Sequence, residues 1–468
     1  MARGRTEAEE DAARVAGFVA DLVAPSYGPG GGWKLVAGAD GEGSVALLRS
    51  GAAALHLGGL RSPDLAPYAD LARQQAARGA DASTATLLAA RLVMAAHKAL
   101  EAGASRAGTL DGLRIARRQA LATLASLAKP DLDAAALATQ APRLAPLVWQ
   151  GLRDLGSVAR LDDVAVEAGE ADAWLRGVPV EPEPRPDATK PARILLLDRV
   201  VSKPRHDLAA RFRSAQAMTA LAEAEADRER QRANHLVKLR VRFVACVGRL
   251  PDPLAQALRS AGLALAQDVE EPRLRRLERA TGAKAVATPE QATSADIGTG
   301  SWLRDRKRWL LSGKGASATL QVAGRVHPEL AIEESERVLR AAGLHASDPR
   351  SVPGGGAWQR DVAASLRKAA AAAPGHAPLS VAAAGDAVAS LADDVMRNAG
   401  LDPSRSGSLG PALDSFPAVS SAVAAAFDLA IQLLRIDARW AKRPSSAAGL
   451  RGGGTPTKVR GGDVPPLM

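Results

Sequence analysis

Three stretches of this chain place glycine or hydroxyl residues before helix-forming segments: Gly28-Pro29-Gly30-Gly31-Gly32, Ala80-Asp81-Ala82-Ser83-Thr84 and Pro353-Gly354-Gly355-Gly356. Such turns suit anion binding, because the first backbone N–H groups of a helix have no internal partners. In the glycine runs no Cβ stands between backbone and ligand. In the second turn Asp81 is the residue type that holds Mg²⁺, with Ser83 and Thr84 as donors to phosphate. Each turn also has a plainer reading: glycine runs form loops, and an Asp at a helix start caps it. A nucleotide P-loop of the form G-x-x-x-x-G-K-[ST] is absent, since Gly313-Lys314-Gly315 lacks both the leading glycine and the hydroxyl.

Other chemistries fall away quickly. The seven histidines, His56, His97 and His327 among them, are scattered without ligand spacing, which argues against zinc. No G-x-S-x-G nucleophile elbow occurs. Cys246 lies in an apolar strand pattern and reads as a small buried hydrophobe. As the single cysteine it also rules out internal disulfides and cysteine-cluster metal sites.

The elements that must hold the three turns can be read from hydrophobic spacing. Ala12, Val15, Phe18, Val19 and Leu22 recur at helical intervals over residues 6–23. A strand is expected at 44–48, a long Ala/Leu helix from Ser83 to Leu100, and another helix over 109–127 with Leu113, Ala116, Ala120 and Leu124 on one face. From 129 to 192 the pattern weakens and ends in the stiff connector Val180-Glu181-Pro182-Glu183-Pro184-Arg185-Pro186. Strands then alternate with helices: strands at 194–197, 239–247, 263–265 and 283–287, and helices at 214–236, 252–260 and 272–281. That alternation implies a small α/β domain. A strand at 318–322 and an amphipathic helix at 328–342 lead back to Ala-rich helix over 357–434. The two helical ends are expected to form one domain interrupted by the middle, with residues 442–468 a Gly/Pro/Arg-rich flexible tail.

Composition sets the outer bounds. The 468 residues suggest two to four domains by the rule of roughly 100–200 residues each. With 47% hydrophobic and 24% charged residues the chain is globular, and its 3% aromatic content leaves Ala, Leu and Val to build the core. No run approaches the roughly 18 uninterrupted apolar residues of a membrane span, and the acidic start lacks a secretory pattern. A cytoplasmic, non-membrane protein is expected. The net charge of +10 invites a nucleic-acid reading. Interleaved Arg and Asp/Glu together with scarce aromatics disfavour it.

The order and spacing of these pieces resemble the group II chaperonins, the thermosome and TCP-1-like ring proteins, in register from about residue 12 to 441. Gly28-Pro29-Gly30-Gly31 stands at the family's G-P-K-G, and Ala80-Asp81-Ala82-Ser83-Thr84-Ala85 at its G-D-G-T-T-T. Gly103 and Gly112-Leu113-Arg114 keep a further helix motif, and Ile194 to Asp198 resembles the strand that opens the apical domain. Ala280-Thr281-Gly282-Ala283-Lys284 is similar to A-T-G-A-K, and Val352-Pro353-Gly354-Gly355-Gly356-Ala357 matches V-P-G-G-G-A throughout. Asn398-Ala399-Gly400-Leu401-Asp402 and Leu434-Arg435-Ile436-Asp437 match two late signatures.

The resemblance implies an α+β multidomain chaperonin fold: a mostly helical equatorial domain (1–129 and 353–441), a small intermediate domain (130–192 and 318–352) and an α/β apical domain (193–317). A helical protrusion near 207–236 would serve as a built-in lid, so no separate lid protein is expected. It further implies ATP and Mg²⁺ as cofactors, with partners that are unfolded client proteins and self or paralogous subunits in a double ring. Carried over residue by residue, Asp81 is the Mg²⁺ ligand and Asp348 the water-orienting group. Tyr27, Gly28, Pro29, Gly30, Gly31, Arg49, Ala82, Ser83, Thr84, Gly355, Gly356 and Asp414 line the nucleotide.

Departures accompany the match. The family's N-D-G turn reads Arg49-Ser50-Gly51, so Ser50 replaces a second water-orienting aspartate. A serine cannot supply a carboxylate's charge, and such a loss costs about 10²–10⁴-fold in the chemical step. The lysine of G-P-K-G is Gly30, leaving Arg49 or Lys34 to neutralise phosphate. Binding is expected to outlast hydrolysis. The expectation is an ATP-binding chaperonin-like subunit with weakened turnover, or alternatively an ATPase-deficient scaffold derived from one.

Overall fold

A computed structural model describes residues 7–37, 45–48, 50–57, 63–156, 161–198, 215–305, 308–323, 328–404 and 408–436. Arg49, the tail and the start of the expected protrusion lie outside the described residues. The chain divides into two compact units, Met1–Pro146 with Arg337–Met468, and Leu147–Glu336.

The first unit opens with helix α1 (Glu7–Val23), then the antiparallel hairpin β1 (Lys34–Ala37) and β2 (Val45–Leu48). Helices α2 (Gly51–Leu57), α3 (Ala66–Ala77), α4 (Ala82–Glu101) and α5 (Arg106–Leu127) follow, then β3 (Lys129–Pro130) and α6 (Ala135–Gln140). Helix α7 (Ala145–Leu155) carries the chain into the second unit, whose first strands are β4 (Val164–Gly169), β5 (Ala173–Arg176), β6 (Val178–Val180) and β7 (Ala192–Leu197). Next come α8 (Ala215–Lys238), β8 (Phe243–Cys246), α9 (Asp252–Ser260), β9 (Ala264–Ala266), α10 (Glu271–Thr281) and β10 (Ala285–Val286). Strands β11 (Gly298–Asp305), β12 (Arg308–Ser312) and β13 (Ala318–Ala323) precede α11 (Pro328–Ser347), which returns to the first unit. There the chain ends through β14 (Arg350–Pro353), α12 (Ala357–Ala372), α13 (Ala377–Asn398), β15 (Leu413–Ser415) and α14 (Phe416–Leu433).

In the first unit α4 is central. Its Leu87, Leu88, Leu92 and Val93 are buried with Val19 of α1, Val381 and Val388 of α13 and Phe427 of α14. Small Ala side chains at Ala85, Ala89, Ala116, Ala384 and Ala426 fill this core, as the scarcity of aromatics requires. Helix α14 is long and apolar enough by composition to cross a bilayer, but it belongs to this core. Strand β14 lies between β3 and β15, pairing Ser351 with both Lys129 and Ser415.

The second unit holds the sheet β6-β12-β11-β7-β8-β9, with β10 also on β7, and the small sheet β4-β13-β5. Strands β7, β8, β9 and β10 are parallel where they pair. The uninterrupted apolar run at 194–197 follows from burial on both faces. Ile194 and Leu196 face one core with Phe243, while Leu195 and Leu197 face the other with Val244 and Cys246. Cys246 is buried as expected, and burial pushes its thiol up to about 12, which keeps it inert at neutral pH.

Elements α2, α3, β1, β11 and β12 have no counterpart in the sequence reading, which takes 357–434 as helix throughout, where strand β15 lies between α13 and α14; two further regions differ for a clear reason. The expected strand from 239 shortens to β8, because Leu239 and Arg240 close α8, Arg240 in the left-handed region at φ 58°. Residues 129–192, where periodicity fades, contain helices α6 and α7 and strands β3, β4, β5 and β6. Strand β4 is half-buried without alternation, and its parallel partner β13 lies far along the chain, Val164 opposite Ala318. Nothing within a short window marks such a strand.

Candidate functional site

The first unit gathers Tyr27, Asp81, Thr84, Gln359 and Asp414 around the head of α4. Asp81 is the N-cap, with extended backbone, and one carboxylate oxygen accepts the Thr84 N–H at 2.9 Å. The other accepts the Thr84 hydroxyl at 2.5 Å. That fixes the direction of the next bonds: Thr84 Oγ1 has spent its proton, so the Tyr27 hydroxyl 2.9 Å away donates to it. Gln359 Nε2, 3.4 Å from Tyr27, donates in turn to the phenol. The result is a one-way chain of protons from Gln359 through Tyr27 and Thr84 to Asp81. Burial, and then the charge of Asp81, drives the Tyr27 hydroxyl far above its ordinary pKa, so it remains a donor. The capping reading and the functional reading of Asp81 therefore coincide. Its carboxylate fixes the helix start while the N–H groups of Ala82 and Ser83, in the first turn, have no helical acceptor.

Asp414 reaches this cluster from β15. Strand pairing sets it opposite Val352, and the Trp358 indole N–H donates to its Oδ2 at 3.0 Å. Its carboxyl is pushed up to about 6, mainly by burial and next by the negative charge of Asp81. A buried carboxyl that senses a neighbouring carboxylate in this way marks a place where a cation is favourable. The glycine run wraps the same side chain. A Cβ on Gly354 would stand 3.0 Å from the Asp414 carboxyl carbon, and Gly354 N–H bonds Ala412 at 2.8 Å. Gly355 and Gly356 sit at φ 61° and 97°, backbone that only glycine adopts without strain, and Gly356 opens α12. Among the described residues the buried Oε1 of Gln359 has no hydrogen-bond partner, leaving an unused acceptor beside Tyr27.

The first glycine turn is pressed onto the end of α13. Asn398 Nδ2 donates to the carbonyls of Ala24 and Tyr27, both at 2.8 Å. A Cβ on Gly30 would lie 2.3 Å from the Asn398 carbonyl oxygen, and one on Gly31 2.3 Å from the Ser26 carbonyl. Glycine at 30 is thus required by packing, whatever else the position lost. Gly28 adopts φ 80° and is exposed with Pro29. Ser50 is used locally: its hydroxyl accepts the Ala53 N–H at 3.0 Å and so caps α2, while Gly51 N–H bonds Ser26 Oγ at 2.7 Å.

Asp348 stands apart from this chain of bonds. Arg350 grips both its oxygens, Nε at 2.7 Å and Nη2 at 2.6 Å, and holds the carboxyl below the usual range. Among the described hydrogen bonds and ion pairs, none joins Asp348 to Asp81, Thr84 or Asp414. Sequence reasoning missed Gln359, Trp358 and the clamp Asn398. The first two follow V-P-G-G-G-A directly, and buried polar residues on a helix's first turn are the signal that was there to find.

The donor set fits a metal-bound polyphosphate. Mg²⁺ keeps several waters and takes one or two carboxylates plus phosphate oxygens, and the described residues hold no cluster of three or more ligating side chains.

Residues 19–406 match the TCP-1/cpn60 chaperonin family. Thermosome subunit beta of Desulfurococcus mucosus is 24% identical over 427 residues, covering 82% of this chain and 85% of the relative. Thermosome subunit 3 of Haloferax volcanii is 25% identical over 439 residues, covering 85% and 83%. A crystal structure of a group III chaperonin in the open state shares the fold with a TM-score of 0.76 and 20% identity, over 92% of this chain and 98% of that one.

Proposed function

We propose, from the premise that this chain belongs to the TCP-1/cpn60 chaperonin family, that it is a ring-forming subunit which binds Mg²⁺-ATP in its first unit and handles non-native protein. The observation that carries the nucleotide reading is the one-way bond chain ending on Asp81, with Asp414 close enough to feel its charge. In this reading Asp81 holds Mg²⁺, which supplies charge neutralisation to the phosphates. The N–H groups of Ala82, Ser83, Gly28 and Gly30 receive phosphate oxygens, Gly31 closes the turn by donating to the Gly28 carbonyl at 3.1 Å, and Arg49 adds charge. Gly355, Gly356 and Asp414 face the nucleoside.

Hydrolysis is the weak partner. Asp348 is tied up by Arg350, and Ser50 gives its hydroxyl to a helix cap. Those two observations favour the second reading as well, an ATP-binding scaffold with little turnover. In both, the chain is a cytoplasmic protein with a split equatorial domain, a split intermediate domain and an apical domain. Helix α8 is the described part of a built-in lid that replaces a separate lid protein.

Calorimetric titration with ATP, with and without Mg²⁺, tests binding. Steady-state phosphate release separates the two readings, and negative-stain imaging with and without ATP tests the double ring. Mg²⁺-dependent binding with eight- or nine-fold rings is expected. A protein that binds no nucleotide and stays monomeric would refute the proposal.

A further inference from the structure

The second unit contains a cavity of about 830 Å³ that includes Arg259, Arg273, Arg308, Glu167 and Trp309 in its lining, together with residues 179–185. That volume lies in the range of small-molecule sites. Its lining carries four arginines, Arg185, Arg259, Arg273 and Arg308, against three glutamates, and Arg276 lies behind it on Glu167. Glu167 alone faces three guanidinium groups: Arg273 at 3.0 Å, Arg308 at 3.5 Å and Arg276 at 4.0 Å. Arg276 is 6% exposed, yet among the described residues its Nη1 has no hydrogen-bond partner, and neither has the buried Nε of Arg273. A guanidinium withdrawn from water needs acceptors for its five N–H groups, and one carboxylate cannot serve three. Burial pushes Arg276 down to about 10, a mark of this shortage. Glu181 and Glu183 also line the cavity and are exposed, as are Arg185, Arg259 and Arg308; the less exposed charges of the wall are Arg273 and Glu167, with buried Arg276 behind them.

The backbone on this wall narrows the choice of ligand. Pro179, Pro182 and Pro184 have no N–H, and the N–H and carbonyl of Glu183 are both bonded to Leu265 at 2.8 Å. A peptide strand would find almost nothing to pair with along this edge. Recognition is left to guanidinium forks, whose geometry matches phosphate oxygens two at a time. Trp309, packed edge-on against Trp302 with ring centroids 5.9 Å apart, adds a fixed aromatic surface.

We infer that this cavity is a binding site for a small polyphosphate anion, held by Arg259, Arg273 and Arg308 over buried Arg276 and half-buried Glu167. The site is separate from the nucleotide site proposed in the first unit and does not depend on it. The phosphates come either as a free polyphosphate or as part of a nucleotide. The test is titration of the full chain carrying Asp81→Ala, in EDTA, with tripolyphosphate, with ADP and with a glutamate-rich peptide of matched charge. Arg259→Ala and Arg308→Ala, both exposed side chains, serve as variants that keep the buried pair. Saturable binding of tripolyphosphate or ADP, weakened at least tenfold by either variant, is expected; the tighter of the two ligands identifies the source. Absence of binding, binding indifferent to both variants, or tighter binding of the acidic peptide would overturn the inference.

Discussion

Arg350 holds Asp348 through both carboxylate oxygens, two residues away on the strand that leads into the glycine run. The guanidinium also lies 4.3 Å from the centre of the Phe416 ring, so it is fixed on two sides. A carboxylate held in this fork is poorly disposed to take a proton from water. Asp348→Ala is therefore expected to leave steady-state ATP turnover at the wild-type level. A group that assists proton transfer would instead cost about 10²–10⁴-fold. Phosphate release by the two proteins at saturating ATP decides it, and a large loss in the variant would return Asp348 to the chemistry.

Asp81 has two duties that one pair of substitutions separates. Asp81→Asn keeps an acceptor for the Thr84 N–H but loses the charge, whereas Asp81→Ala loses both. The alanine variant should be destabilised by about 0.5–2 kcal/mol, the usual cost of a lost cap, and the asparagine variant by much less. Both should lose Mg²⁺-dependent ATP binding. Urea unfolding and calorimetry on the same samples provide the check; retained Mg²⁺ dependence in Asp81→Asn would remove the metal role.

Asp414 makes the site sensitive to pH. Its carboxyl titrates at about 6 in the folded chain, against ~3.9 for an unfolded aspartate. Between those values the folded state binds more protons than the unfolded state. This group's contribution to stability is therefore full below about 4 and lost as pH rises through about 6. Asp414→Asn cannot ionise and still accepts from Trp358. Its stability relative to wild type should climb across that window by about 2–3 kcal/mol at most, then level off. Urea midpoints taken in steps of pH would show it, and a difference that stays flat would contradict the burial of Asp414 beside Asp81.

How much of this was legible depended on distance along the chain. The cap at Asp81 and the turn at Gly354 to Gly356 are local events, written in neighbouring residues. The bond from Tyr27 to Thr84 and the one from Gln359 to Tyr27 join segments far apart, which no spacing rule anticipates. Strand β4 was hidden for the same reason, since its ladder to β13 begins with Val164 opposite Ala318. Ser50 shows a different limit. Its type revealed what the position could no longer do as a base, but only the bond from Ala53 revealed that it caps α2.

Gly30 provides the sharpest test of that difference, because the resemblance and the structure point opposite ways. By resemblance, Gly30→Lys would restore a phosphate-binding charge. In the structure a Cβ at this position would meet the Asn398 carbonyl oxygen at 2.3 Å, a backbone atom that cannot swing aside. The turn is held there by the Asn398 side chain, which bonds Ala24 and Tyr27. Making room means pushing Tyr27 away from Thr84 and so breaking the chain of bonds that ends on Asp81. Overpacking of this kind typically costs about 1–3 kcal/mol. Gly30→Lys is thus expected to lower the unfolding midpoint and weaken ATP binding, with no gain in turnover. Tighter binding at unchanged stability would show that the turn lifts away from α13 when nucleotide is bound.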